Sequence, residues 1–203
     1  MNKRFFFSEI RAKVTEYVRL RILAARQEYK DTQQKNPHST LGHSYDNCAV
    51  LRTNSMKYLP NYFGKHSISK LFFCFPDPHF KRKNHPRRII NDALLTEYAY
   101  VLKPNTGRLY CITDVKELHD WHVAKCNAHP LFRRLDDSDN PNDNHDITTK
   151  TLEAQDPCIE AMKTETEEGK KVSRNGGAKY YAVYQRIPDD EATPVHAGNF
   201  FAA

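Results

Sequence analysis

The sequence predicts an α/β fold with a mostly parallel sheet and an antiparallel edge strand. Three observations carry that expectation. Short apolar runs of strand length alternate with segments whose apolar residues recur at helical spacing. Strands alternating with helices imply βαβ units and hence parallel pairing. Polar or acidic residues also recur where the strands end, at Glu9, Asn54, Asp77 and Thr113-Asp114. Open α/β sheets bind their ligands outside the carboxyl ends of the strands. One such acid is ordinarily a turn or helix cap; four in succession favour a shared ligand site.

The elements follow in order. "RFFFSEI" (4–10) reads as a buried strand, and residues 12–29 carry Val14, Val18, Ile22 and Ala25 on one helical face. The polar stretch 31–46 reads as a loop. "NCAVLRTN" (47–54) is a second strand, and 55–63 a short helix stopped by Pro60 and Gly64. "SISKLFFCF" (67–75) is a third strand, 89–102 a helix, 107–115 a fourth strand and 116–128 a helix. Residues 136–157, rich in Asp, Asn and Thr, read as an excursion; "EAMKTETEEGKKV" reads as one helix and 178–187 as the antiparallel edge strand. The segment after Pro188 reads as a disordered tail.

The 203 residues suffice for one sizeable core, and a hydrophobic content of 39% with 11 Phe and 11 Tyr places the chain among folded proteins. A net charge of +6 suits either solubility or a polyanionic partner. Clustering favours the partner, since Lys81, Arg82, Lys83, Arg87 and Arg88 lie within eight positions. The 5 cysteines form no CxxC pair, which disfavours a disulfide framework or a zinc ribbon and fits a reducing compartment. No apolar run approaches the ~20 residues of a membrane span. The expected protein is soluble and intracellular, with no membrane partner.

The chemistry concentrates in "LFFCFPDPHFKRKNHPRR" (71–88). Pro76 and Pro78 stiffen the backbone around Asp77, so its side chain is held in one direction. The basic run suits phosphates, with Phe80 as a stacking face and His79 and His85 as hydrogen-bonding groups. Asp77, His79 and His85 match no compact metal-ligand spacing, so no metal is expected. A carboxylate at the end of a strand, here Glu9, suits ribose hydroxyls. With only 7 Gly, the first at Gly42, and no GxGxxG, an ordinary dinucleotide dehydrogenase is disfavoured.

At "FPDPHFKRKNHPRRI" the chain resembles the eukaryotic tRNA (guanine-N7-)-methyltransferase catalytic subunits, which are class I, Rossmann-like and S-adenosylmethionine-dependent. The resemblance runs from "EIRAKVTEYV" through "NSMKYLPNYF", "LLTEYAYVL", "ITDVKELHDW" and "HPLFRRL" to "TEEGKKVSRNGGAKYYAVYQRI", about residues 9–187. It implies a methyltransferase domain over 1–187 followed by the tail 188–203. It also implies Asp77 as the catalytic acid residue. Glu9, Ile10, Asn54, Ser55, Cys74, Thr166, Glu167 and Glu168 would bind the cofactor. Lys81, Arg82, Lys83, His85, Arg87 and Arg88 would bind tRNA. A WD-repeat propeller subunit as heterodimer partner and a nuclear location are implied in the same way. The family departs from this chain in two residues, carrying Ala more often at Ser55 and Leu at Cys74.

The family also carries, before the Glu9 strand, a strand ending in a Gly-rich "GCGxGG"-type loop, which this chain, starting at Met1, does not show. That strand is central in a class I sheet, so its loss is expected to leave two edges within the sheet. Three readings follow: the methyltransferase itself, a non-catalytic truncated paralogue or fragment retaining tRNA or partner binding, and a generic basic RNA-binding protein.

Overall fold

The computed structural model describes residues 4–36, 43–135 and 149–191. The chain comprises two compact units, Met1–Tyr62 and Phe63–Ala203, so the expected single domain 1–187 spans both.

In the first unit, β1 (Phe5–Glu9) pairs in parallel with β2 (Cys48–Arg52), from Phe5 opposite Cys48 to Glu9 opposite Arg52. The crossover between them is α1 (Ala12–Lys35). Val14, Val18, Ile22 and Ala25 form its half-buried face, as their spacing dictates. The helix runs six residues past its expected end at residue 29, to Lys35, because Lys30, Gln33, Gln34 and Lys35 are themselves good helix formers. α2 (Ser55–Tyr62) passes through Pro60 instead of stopping there. Pro60 is the sixth of its eight residues, so the helix forgoes one i→i−4 bond and ends two residues later. β1 is not the buried strand its sequence suggests: Phe5, Phe6 and Phe7 remain about half exposed, at 48–51%.

In the second unit, a four-stranded sheet has the order β3 (Lys70–Cys74), β4 (Arg108–Thr113), β6 (Tyr180–Arg186), β5 (Phe132–Arg134). β3 and β4 are parallel, with Cys74 opposite Ile112. β6 runs antiparallel to both β4 and β5. The antiparallel edge is therefore β5, three residues that periodicity cannot register, and β6 lies inside the sheet. The architecture is the expected Rossmann-like α/β class, parallel on one side with an antiparallel edge region on the other.

Alternation along β4 sends its side chains to two helical layers. Tyr110, Ile112 and Val183 pack with Leu152 of α5 (Thr149–Gln155) and with Ile159 and Met162 of α6 (Pro157–Thr164). The other face receives α3 (Asp92–Val101), whose Tyr98 ring lies 4.9 Å from Phe73, and α4 (Lys116–Ala128), whose Asn127 accepts from Tyr184 at 3.0 Å. Burying each such aliphatic side chain is worth about 1.5–3 kcal/mol. The expected single helix over "EAMKTETEEGKKV" is two, α6 and α7 (Glu167–Arg174), because Thr166 leaves helical geometry to cap the second. Residues 136–148 and the tail beyond Glu191 lie outside the described residues.

Candidate active site and nucleic-acid face

The site is built where β3 ends. Phe75 continues the ladder by one bond, its N–H donating to the Ile112 carbonyl at 2.8 Å. Its φ is +52°, and His79, four residues on, has φ +45°. Left-handed backbone at non-glycine residues costs on the order of 1–3 kcal/mol each and persists only where surrounding structure enforces it. At Phe75 the enforcement is visible, since the ring packs against the core cluster of Tyr110, Ile112 and Met162. The two strained residues bracket Pro76-Asp77-Pro78. Asp77 Oδ1 accepts the His79 N–H at 3.0 Å, and its side chain stays 72% exposed. The result is a carboxylate held in one direction and open to a ligand.

A 3₁₀ segment, Arg82–Arg87, follows. Lys81, Arg82, Lys83 and Arg87 are exposed, Phe80 is 66% exposed, and His85 is half-buried with its ring 5.3 Å from Trp121. Four of the expected phosphate-binding cations are thus exposed in the segment that follows Asp77. Arg88 does not join them. Its side chain is only 1% exposed, donates to the Pro78 carbonyl at 3.0 Å and to Glu117 Oε1 at 2.7 Å, and lies over Trp121 at 4.8 Å. The expectation that Arg88 binds RNA is corrected: two acceptors and an aromatic face inside the fold outcompete solvent for its guanidinium.

Parallel register brings a second acid to this end of the sheet. Cys74 and Ile112 are opposite each other, so Asp77 and Asp114 follow from neighbouring strand ends. Asp114 is exposed, while the buried Thr113 accepts the Val115 N–H at 3.1 Å and so starts the turn into α4. The sequence shows Asp114 only as one strand-end acid among several; the pairing of β3 with β4 puts it at the same end of the sheet as Asp77.

The residues expected to hold the donor fall in both units. In the first, Ser8 and Ser55 hydroxyls are in hydrogen-bonding contact, which joins the end of β1 to the start of α2. Glu9 and Asn54 flank them along the chain. Glu9 receives Arg11 three times, from the backbone N–H at 2.9 Å and from Nε and Nη2 at 3.0 and 3.1 Å. Arg11 hydrogen bonding is the main reason its carboxyl titrates below the ordinary range. A carboxylate offers about four acceptor positions, so ribose hydroxyls can share it with Arg11. Ile10, 58% exposed, supplies an apolar surface beside that acid. Asn54 spends Oδ1 on the Met56 N–H at 3.0 Å, starting α2.

In the second unit, Cys74 is the exposed last residue of β3. Thr166 caps α7, its Oγ1 accepting from Gly169 N–H and donating to the Met162 carbonyl, both at 3.0 Å. Glu167 and Glu168 are exposed in the first turn of α7, where negative charge suits the helix dipole. Local structure alone accounts for Thr166.

A family model described as "Putative methyltransferase" (Methyltransf_4) matches residues 4–182. The chain belongs to this family. Its curated relatives include proteins named tRNA (guanine-N(7)-)-methyltransferase from several fungi. That of Lodderomyces elongisporus is 47% identical over 183 residues, covering 90% of this chain and 52% of the relative. That of Debaryomyces hansenii is 48% identical over 180 residues, 89% of this chain and 54% of the relative. That of Schizosaccharomyces pombe is 48% identical over 181 residues, 89% and 59% respectively. The chain spans about half the length of the curated relatives it matches.

Proposed function

We propose that the chain carries the catalytic machinery for transferring a methyl group from S-adenosylmethionine to N7 of a guanine in tRNA. The observation that carries the reading is the Asp77 loop. An exposed acid at a strand's carboxyl end is fixed between strained residues and followed at once by four exposed cations. Near-50% identity to relatives named for this reaction supports it.

The residues of the first unit suit the adenosine part of S-adenosylmethionine: Glu9 for the ribose and Ile10 for the adenine, with the Ser55 hydroxyl and the Asn54 amide at the start of α2. The cofactor supplies an electrophilic methyl on a sulfonium. Guanine N7 carries a lone pair and no proton, so the N7–methyl bond forms as the sulfur–methyl bond breaks, and no general base is needed. Positive charge passes to the base. Asp77 orients the guanine edge and stabilises that growing charge without taking a proton. Lys81, Arg82, Lys83 and Arg87 hold the phosphates, and the positioning they provide supplies much of the remaining rate. Assembly with a WD-repeat propeller subunit and a nuclear location belong to the same reading, supported by the family resemblance.

The test combines cofactor binding, tRNA binding and transfer of labelled methyl, mapped by chain scission at N7-methylguanosine. Asp77→Ala abolishes transfer and leaves tRNA affinity within about twofold. Loss of neither property in an active preparation overturns the role of Asp77. Tight tRNA binding without detectable cofactor binding returns the chain to the non-catalytic reading.

A further inference from the structure

The peptide unit joining Pro78 to His79 is engaged at both ends. Its N–H donates to Asp77 Oδ1 at 3.0 Å, and its carbonyl accepts Arg88 Nε at 3.0 Å. One amide plane therefore connects a buried guanidinium to the exposed carboxylate. We propose that Arg88 is a positioning residue for Asp77, fixing the direction of its carboxylate through the Pro78–His79 peptide while Glu117 and Trp121 hold the guanidinium in place. This inference rests on the reading of Asp77 as the group that faces the methylated base.

Arg88 is itself anchored on both sides. Its N–H donates to the His85 carbonyl at 2.9 Å, closing the 3₁₀ segment, and its carbonyl accepts Asn91 Nδ2 at 3.1 Å. Asn91 in turn caps α3, accepting the Leu94 N–H at 3.0 Å. The indole beneath the guanidinium is pinned as well, with Trp121 Nε1 donating to the Ile90 carbonyl at 2.7 Å. Residue 88 thus has little freedom, and its side chain reaches back ten residues to Pro78. The chain between is the loop that bears the exposed cations. Arg88 closes that loop at its base, so the acid and the phosphate-binding cations move as one body.

Two physical effects follow. A cation donating to an amide carbonyl polarises the amide, and the N–H at its other end becomes a stronger donor. The Asp77 carboxylate then has one oxygen committed and the other directed outward. Closing the loop also holds φ positive at His79, a conformation that costs free energy and relaxes once the restraint is removed. Glu117, 56% exposed, balances the buried charge; Arg88 hydrogen bonding holds the Glu117 carboxyl below its ordinary range. Lysine cannot substitute, because an ammonium lacks the planar fork that meets two acceptors while lying over a ring.

The experiment compares the full chain with Arg88→Lys and, as a milder variant at an exposed acid, Glu117→Gln. Amide hydrogen exchange is followed together with steady-state methylation of tRNA. In Arg88→Lys, exchange quickens within residues 75–88 and stays unchanged in β4 and α3. The turnover number falls about 10- to 100-fold, as expected for a misplaced reacting group, while KM for tRNA stays within about threefold. Glu117→Gln shifts both readouts in the same direction by less. Unchanged loop exchange overturns the proposal, as does a rise in KM at constant turnover, which would make Arg88 one more phosphate contact. Loosening that spreads through β4 and α3 also overturns it, because Arg88 would then be a general stability residue. A wild-type chain that transfers no methyl defeats the proposed function, whereas the exchange comparison still decides what Arg88 does to the Asp77 loop.

Discussion

Asp156 accepts the Tyr110 hydroxyl at 2.6 Å, joining the cap of α6 to the middle of β4. Around this pair gather Lys70 at 3.1 Å, Arg108 at 2.6 Å and the Cys158 N–H at 3.1 Å. Lys70 opens β3 and Arg108 opens β4, so the cluster closes the amino end of the sheet, opposite the end that carries Asp77. The Asp156 side chain is 3% exposed.

Burial alone would raise the Asp156 carboxyl, but hydrogen bonds from Tyr110 and Lys70 outweigh it and hold the folded-state pKa well below the ordinary value. Burial and that same bond push Tyr110 up to about 12. A depressed acid stabilises the fold above its unfolded pKa, near 4, and the contribution drains away as pH falls through the folded value. Asp156→Asn is expected to cost about 3 kcal/mol at pH 7 in urea unfolding. The gap from wild type should narrow steadily below about pH 4; a constant gap across that range would show that the charge is not what matters.

His122 lies on α4, 1% exposed, with neither ring nitrogen hydrogen-bonded. Burial first, and then the nearby His119 and Arg88, push its pKa down to about 3. The unfolded chain binds this proton from about pH 6.5 downward while the folded protein refuses it until about pH 3. Stability therefore falls with decreasing pH across that window, by at most about 1.4 kcal/mol per unit. His122→Leu should flatten the unfolding free energy between pH 6.5 and 4. His129, shifted the same way by burial, remains in the variant, so the slope shrinks without vanishing.

Gly169 sits where α7 leaves no room for a side chain. A Cβ there would stand 2.6 Å from both the Lys163 carbonyl and Thr166 Oγ1. Gly169→Ala must push α7 from α6 or break the Thr166 cap, at about 1–3 kcal/mol. Thermal unfolding should show the loss, whereas Lys170→Ala, at an exposed position, should change stability by no more than about 0.5 kcal/mol.

The exposed cations predict a salt signature. Binding of tRNA should weaken linearly with the logarithm of salt concentration. Replacing Arg82 or Arg87 by Ala should lower that slope by about 1 each, if each meets one phosphate. A slope unchanged by Arg87→Ala would remove that residue from the interface.

Much of this was legible from residue order. The α1 stripe, the β3 and β4 runs and α4 follow from periodicity, because burial of one helical or strand face leaves its period in the sequence. Pro76-Asp77-Pro78 was equally legible, since two prolines restrict the backbone whatever surrounds them. β5 was not: three residues are too few to show a period, and partner β6 supplies the pairing. The exposure of Phe5, Phe6 and Phe7 also ran against the sequence, since an apolar run states what burial would gain and not whether a covering element is at hand.

Arg88 marks the boundary most clearly. In sequence it is the last of five basic residues and indistinguishable from Arg87. The fold turns one guanidinium inward to Pro78, Glu117 and Trp121 and leaves the other in solvent. Sequence alone determined the α/β class, the rigid acid and the abundance of positive charge, because these rest on local backbone restriction and composition. Tertiary structure decided which charges face a ligand, since that depends on acceptors brought from about thirty residues away, as Glu117 is brought to Arg88.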